Sequence, residues 1–195
     1  DYFNDPSLLV DVPPPQAPNV GLSFSGSTLS VDPPAGFEGT FTVEVTVGDD
    51  ASIWPMSVVR GDVNSIRIGT ASNIQDGCVL HVSHAGEYGE GAGLVIGDEV
   101  TVGHKVILHA CTIGHRCLIG MGSVVMDRVV VGDDVMLGAG SLVPEGMSLE
   151  SGYLYLGRPA VKKRRLSERE HAWLKYSAAH YVRLMQRHRE SLEKR

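Results

Sequence analysis

Aliphatic residues recur every six positions through the middle of the chain. From Ile96 onward the blocks read IGDEVT, VGHKVI, LHACT, IGHRCL, IGMGSV, VMDRVV, VGDDVM, LGAGSL and VPEGMS, the third one residue short. Each opens on an aliphatic residue, and Gly follows it in six of the nine, as a crowded or sharply turning backbone requires. A period of six is neither the 3.6 of a helix nor the alternation of a hairpin strand. One short strand plus a turn per block, with three blocks closing a coil, predicts a mainly β chain folded as a parallel β-helix of hexapeptide repeats.

The same phase runs back through Leu80, Ile74, Ile68, Val59, Ile53 and Val47 once two insertions are admitted, near 65–67 and 83–93. Four positions after these aliphatics stand small residues, among them Ser57, Val63, Ser72, Cys78, Val100, Val106, Cys117, Ser123, Val135 and Ser141. Large and small side chains thus alternate into a narrow, close-packed core.

The pattern divides the chain into four parts. Residues 1–46 are an atypical Pro- and Gly-rich segment ending in an alternating strand, TFTVEVTV at 40–47. Residues 47–147 form the β-helix, read as five coils. Residues 148–166 form a linker that carries the basic run KKRR, and residues 167–195 form a C-terminal helix. Ser167 and Glu170 make a capping box. Trp173, Ser177, Tyr181, Leu184, His188 and Leu192 recur at helical spacing, predicting a helix packed along the coil or at a subunit contact.

Composition narrows the function. Net charge is −6, which argues against nucleic acid as a partner. Residues 1–50 hold eight acidic residues and no Lys or Arg, which marks that end as foreign to the rest. No apolar run is long enough for a membrane span, and no basic stretch followed by an apolar one marks a signal peptide. Three cysteines make no disulfide framework; Cys78 and Cys117 fall in the inward set, and the usage fits a reducing cytoplasm.

Residues that share a position and a face stack on adjacent coils about 4.8 Å apart. The blocks starting at 59, 80, 108 and 125 share one face, so Arg60, His81, His109 and Met126 form an outward column. Two stacked imidazoles can approach a tetrahedral zinc site by leaning together. His104 lies on another face and is an awkward third ligand within one subunit. Three subunits side by side would solve this, each lending His104 to its neighbour's His81 and His109. Gln75 stands where Gly is usual, and Asp76 precedes His104 by one coil. Any one of these alone reads as a solvated wall residue; the cluster favours chemistry.

RGDVNSIRIG at 60–69, NIQDGCVLHVSH at 73–84 and VTVGHKVILHACTIG at 100–114 resemble the gamma-class carbonic anhydrase family, over roughly Asp49 to Arg189. The resemblance implies a left-handed parallel β-helix with a C-terminal helix, assembled as a homotrimer. It implies zinc, sometimes iron or cobalt, held between subunits by His81, His104 and His109. It assigns Arg60, Asp62 and Asp76 to an ion-pair cluster that ties subunits together, and Gln75 to orienting the water on the metal. The expected reaction is reversible hydration of carbon dioxide to bicarbonate by metal-bound hydroxide. Val63 stands where the best-characterised members of the family carry a Glu just after the RGD sequence, which leaves His84, Glu87 and Glu90 as candidates for moving protons. Two alternatives remain: an acyl-CoA thioesterase or acyltransferase of the hexapeptide-repeat superfamily, and a metal-binding structural trimer of weak activity.

Overall fold

A computed structural model describes residues 21–25, 28–32, 43–87 and 89–193. The sequence readings on residues 1–20, 26–27 and 33–42, among them the first three residues of the expected strand at 40–47, and the last two residues of the expected helix lie outside the described residues.

The hexapeptide period resolves into three parallel sheets that wrap one core. The first has rungs Val43–Val47, Ile66–Ile68, Leu94–Ile96, Thr112–Ile113, Val130–Val131 and Ser148–Leu149. Gly21–Ser25 and Thr28–Asp32 extend its edge as antiparallel strands. The second has rungs Ser52–Ile53, Asn73–Ile74, Thr101–Val102, Leu118–Ile119, Met136–Leu137 and Tyr153–Leu156. The third has Val58–Arg60, Val79–His81, Ile107–His109, Val124–Val125 and Leu142–Val143. The result is a parallel β-solenoid of about six turns.

Register puts like on like. Leu80 pairs with Leu108 and Leu108 with Val125; Ile74 pairs with Val102 and Val102 with Ile119. All six are fully buried. Small residues occupy the corners because space there is short and backbone carbonyls need partners. The hydroxyls of Ser57, Ser72 and Ser123 donate to the carbonyls of Gln75, Gly97 and Gly138. Among the described residues, every buried side-chain polar atom has a partner. The Gly after the aliphatic is explained at Gly120, where a Cβ would stand 2.4 Å from the backbone nitrogen of Ala139 on the next coil.

Two segments differ from the sequence reading. Residues 148–166, expected to be a linker, carry the coil onward. Leu149 pairs with Val131 and Tyr155 with Leu137, both in the inward column. The period persists there with Tyr in place of an aliphatic and without its Gly, so the pattern is hard to see. The Tyr155 hydroxyl accepts the N–H of Glu150 at 2.9 Å, which satisfies a polar atom at the core's edge. The basic run forms the strand Val161–Arg165, antiparallel to Tyr153–Leu156, and closes the second sheet. Lysine suits such an edge because its charge blocks further strand pairing. Val63, phased inward, is instead 47% exposed, because residues 61–65 leave the coil.

The helix, α1, spans Glu168–Glu193. Its capping box forms: Ser167 N donates to Glu170 Oε2 at 2.8 Å, and Glu170 N donates to Ser167 Oγ at 3.3 Å. It lies on the second sheet. Leu174, Ser177, Ala178 and Met185 are buried, the Thr101 hydroxyl donates to Ser177 Oγ at 2.9 Å, and Trp54 meets Tyr181 and His188 edge-on. Trp173, expected in the packed stripe, is exposed. The small Ser177 and Ala178 allow closest approach to the sheet, and that rotation turns Trp173 outward.

Candidate metal centre

The site grows from the third sheet. On the other two sheets Gly mostly follows the inward aliphatic, but here the same position holds Arg60, His81, His109 and Met126. Arg60 pairs with His81, and His81 with His109, across adjacent parallel strands. Val59, Leu80 and Leu108 point inward beneath them, so strand alternation sends the three polar side chains out in one column.

His81 Nδ1 lies 3.0 Å from His109 Nε2. Each ring's other nitrogen meets a carboxylate: His81 Nε2 is 3.0 Å from Asp62 Oδ1, and His109 Nδ1 is 2.5 Å from Asp127 Oδ1. Desolvation works against ionisation of Asp62, but its hydrogen bonds with His81 and Arg60 outweigh it and hold the carboxyl below its ordinary value. Asp127 behaves likewise, with the Ser83 hydroxyl and His109 overcoming desolvation. An ionised carboxylate only accepts, so each neutral ring spends its single N–H there. The two nitrogens that face each other then both present bare lone pairs. Arg60 Nη2, 3.3 Å from His81 Nδ1, meets part of that demand.

This donor set fits a metal ion. Ligand nitrogens at 2.0–2.1 Å in a tetrahedral array stand about 3.3 Å apart, close to the observed separation. A carboxylate behind each ligating imidazole is the usual support for such a site. Two rings do not fill a shell, and among the described residues no three His, Cys, Asp or Glu side chains gather as a cage.

The remaining sequence candidates fall in separate places. His104 sits in the turn after Thr101–Val102, with Nδ1 3.0 Å from Asp76 Oδ2. The structure thus brings Arg60, Asp62, His81 and His109 together and sets Asp76 with His104; Asp76 joins no ion pair with Arg60. Gln75 is buried, its Nε2 donating to Asn73 Oδ1, and the network continues through Thr101 to Ser177 on α1. His84, Glu87 and Glu90 are exposed on the excursion that Ser83 and Ala92 close by exchanging backbone hydrogen bonds. Asp127 and Ser83 escaped the sequence reading. A signal existed: Asp127 follows the outward Met126 one coil beyond His109, and Ser83 stands two residues after His81.

The three cysteines are free and buried. Burial pushes the thiols of Cys111 and Cys117 up to about 12 and raises that of Cys78.

Residues 110–145 match the family described as bacterial transferase hexapeptide (six repeats). The chain is 57% identical to protein YrdA of Escherichia coli (strain K12) over 141 residues, covering 72% of this chain and 77% of that one. It is 40% identical to a carbonic anhydrase of Geobacillus kaustophilus over 129 residues, covering 66% and 68%. With gamma carbonic anhydrase 2, mitochondrial, of Arabidopsis thaliana it shares 39% identity over 145 residues, covering 74% of this chain and 52% of that relative. Among solved structures, a hexapeptide transferase family protein from Anaplasma phagocytophilum superposes with a TM-score of 0.67 at 45% identity, covering 73% and 80%. On its repeats, its paired histidines and these relatives, the chain belongs to the gamma-class carbonic anhydrase family of hexapeptide-repeat proteins.

Proposed function

We propose that the protein is a metal-dependent carbonic anhydrase, converting carbon dioxide and bicarbonate at sites shared between the protomers of a homotrimer. The observation that carries this reading is the pair of lone-pair nitrogens on His81 and His109, 3.0 Å apart with a carboxylate behind each ring. His104 completes the set from a neighbouring protomer. It repeats the same device, a ring held by one nitrogen on Asp76 and free at the other. Zinc suits three imidazoles, and iron or cobalt accept the same donors.

When bound, the metal supplies Lewis acidity that brings deprotonation of a water to near neutral pH. The chain supplies orientation and charge. Asp62 and Asp76 fix the rings of His81 and His104, and Arg60 neutralises Asp62 at the site's edge. Gln75, anchored through its Nε2, keeps its carbonyl for orienting a water. His84, with Glu87 and Glu90, takes the released proton to solvent from the exposed excursion. Val58, Val79 and Ile107 expose 48%, 38% and 40% on the same face, an apolar column suited to burial between protomers. Three free, buried cysteines suit a reducing cytoplasm. Among the described residues, no helix is long and apolar enough to cross a membrane.

The second reading is acyl-thioester chemistry, favoured by the likeness to the hexapeptide transferase family protein from Anaplasma phagocytophilum. One experiment separates them: metal analysis, light scattering, carbon dioxide hydration and acyl-thioester hydrolysis on wild type beside His104→Ala. The expected result is about one metal per chain and hydration activity in the wild type, with almost no metal in the variant. Unchanged occupancy in His104→Ala overturns the shared cage, and thioester hydrolysis without hydration favours the second reading.

A further inference from the structure

Asp127 lies outside every motif that pointed to the site, yet it is committed on both oxygens. Oδ1 stands 2.5 Å from His109 Nδ1, and Oδ2 accepts the Ser83 hydroxyl. Its backbone is set by the next coil, where Gly146 N donates to Asp127 O at 2.9 Å. The neighbouring cation, Arg128, is turned away to Glu145, so it does not compete for the Asp127 charge. The side chain is three-quarters covered, which shelters these bonds from water.

A free neutral imidazole carries its proton on either nitrogen, and only the unprotonated nitrogen can bind a metal. We infer that Asp127 is a positioning residue: it holds the His109 proton on Nδ1 so that Nε2 faces His81 as a bare donor. Through Ser83 it also ties the 83–92 excursion to that ring. Ser83 closes the excursion by exchanging backbone hydrogen bonds with Ala92, so one hydroxyl links the base of the loop to the orientation of His109. The inference rests on the metal-site reading proposed above.

The test uses the full chain, with zinc affinity measured by chelator competition and the ring-nitrogen NMR shifts of His109 in metal-free protein. Thermal melting reports folding. Asp127→Ala is expected to weaken zinc binding about 10–100-fold and to lose the Nδ1-protonated signature. Asp127→Glu recovers part of both, because the carboxylate returns one methylene further out. Ser83→Ala keeps the tautomer and weakens binding less. Should Asp127→Ala fail to fold, Asp127→Asn is read in its place: its amide still accepts, but without charge, so its affinity falls between the two. Wild-type affinity and unchanged shifts in a folded Asp127→Ala or Asp127→Asn overturn the inference while leaving the metal site standing. A wild type that takes up no zinc overturns the metal site itself, and this inference with it.

Discussion

His81 and His109 are paired across adjacent strands although 28 residues separate them, with Nδ1 of one 3.0 Å from Nε2 of the other. A plain coil of three hexapeptides separates neighbours by 18 residues, as it does Thr112 and Val130. The difference is the excursion closed by Ser83 and Ala92, which leaves and rejoins the coil without disturbing register. The fold can therefore carry a loop beside the site and still hold the two rings at a spacing set by the sheet.

That spacing depends on the core beneath it. Leu108 is fully buried between Leu80 and Val125, directly under His109. Leu108→Ala is expected to destabilise the fold by about 2–5 kcal/mol, read from urea unfolding. Chelator competition on the same protein should show weaker metal binding, since a relaxed strand moves His109.

Close approach of coils predicts a contrast between two glycines. At Gly120 a Cβ meets backbone atoms of Ala139 and Leu137 at 2.4 and 2.6 Å, and backbone cannot swing aside. Gly122 has open space around it and only its φ of +67° to set against a side chain. Gly120→Ala should cost about 1–3 kcal/mol and Gly122→Ala about 1 kcal/mol, compared by thermal melting. Equal losses would contradict the contact argument.

The start of α1 should be acid-sensitive. Hydrogen bonds from Arg164 and from the Ser167 backbone and hydroxyl lower the Glu170 carboxyl from 4.5 to about 2. A carboxyl depressed on folding adds stability that is complete above its unfolded value and is lost as pH falls through its folded one. Helix stability followed by circular dichroism should therefore decline between about pH 5 and pH 2. Glu170→Gln should flatten that part of the profile.

Docking of α1 is divided along its length. Leu174, Ser177 and Ala178 anchor the first half by burial, while Tyr181 and His188 rest edge-on against Trp54 at 5.6 and 5.4 Å. Each such aromatic pair contributes about 0.5–1.5 kcal/mol beyond its buried area. Trp54→Ala should release hydrogen-exchange protection over residues 181–188 and leave that around Leu174 intact.

How far the chain could be read varied from place to place, for physical reasons. The columns were legible because a parallel coil converts sequence period directly into spatial stacking; Arg60, His81 and His109 stand out because they displace the Gly used on the other sheets. The last turn was not, because Tyr155 fills an aliphatic position and hides the period. Spacing sets Asp127 one coil beyond His109, but whether its oxygen reaches back to that ring is a side-chain geometry that spacing does not encode. Two neighbouring helical stripes share Ser177, Tyr181 and His188, so spacing alone puts Trp173 in the packed stripe; the fit of Ala178 against the sheet chooses between them.

The sequence by itself determined the three-sided coil, its core alternation, the capped helix and the column that sets His81 beside His109. These follow from periodicity, which is a property of the backbone repeat. Only the tertiary structure decided which nitrogen each ring turns outward, that Asp62 and Asp127 hold the rings from behind, and that the Asp76 carboxylate meets His104 Nδ1 and not Arg60. Those outcomes depend on rotamers and proton positions, where hydrogen bonds between coils outweigh anything local to the chain.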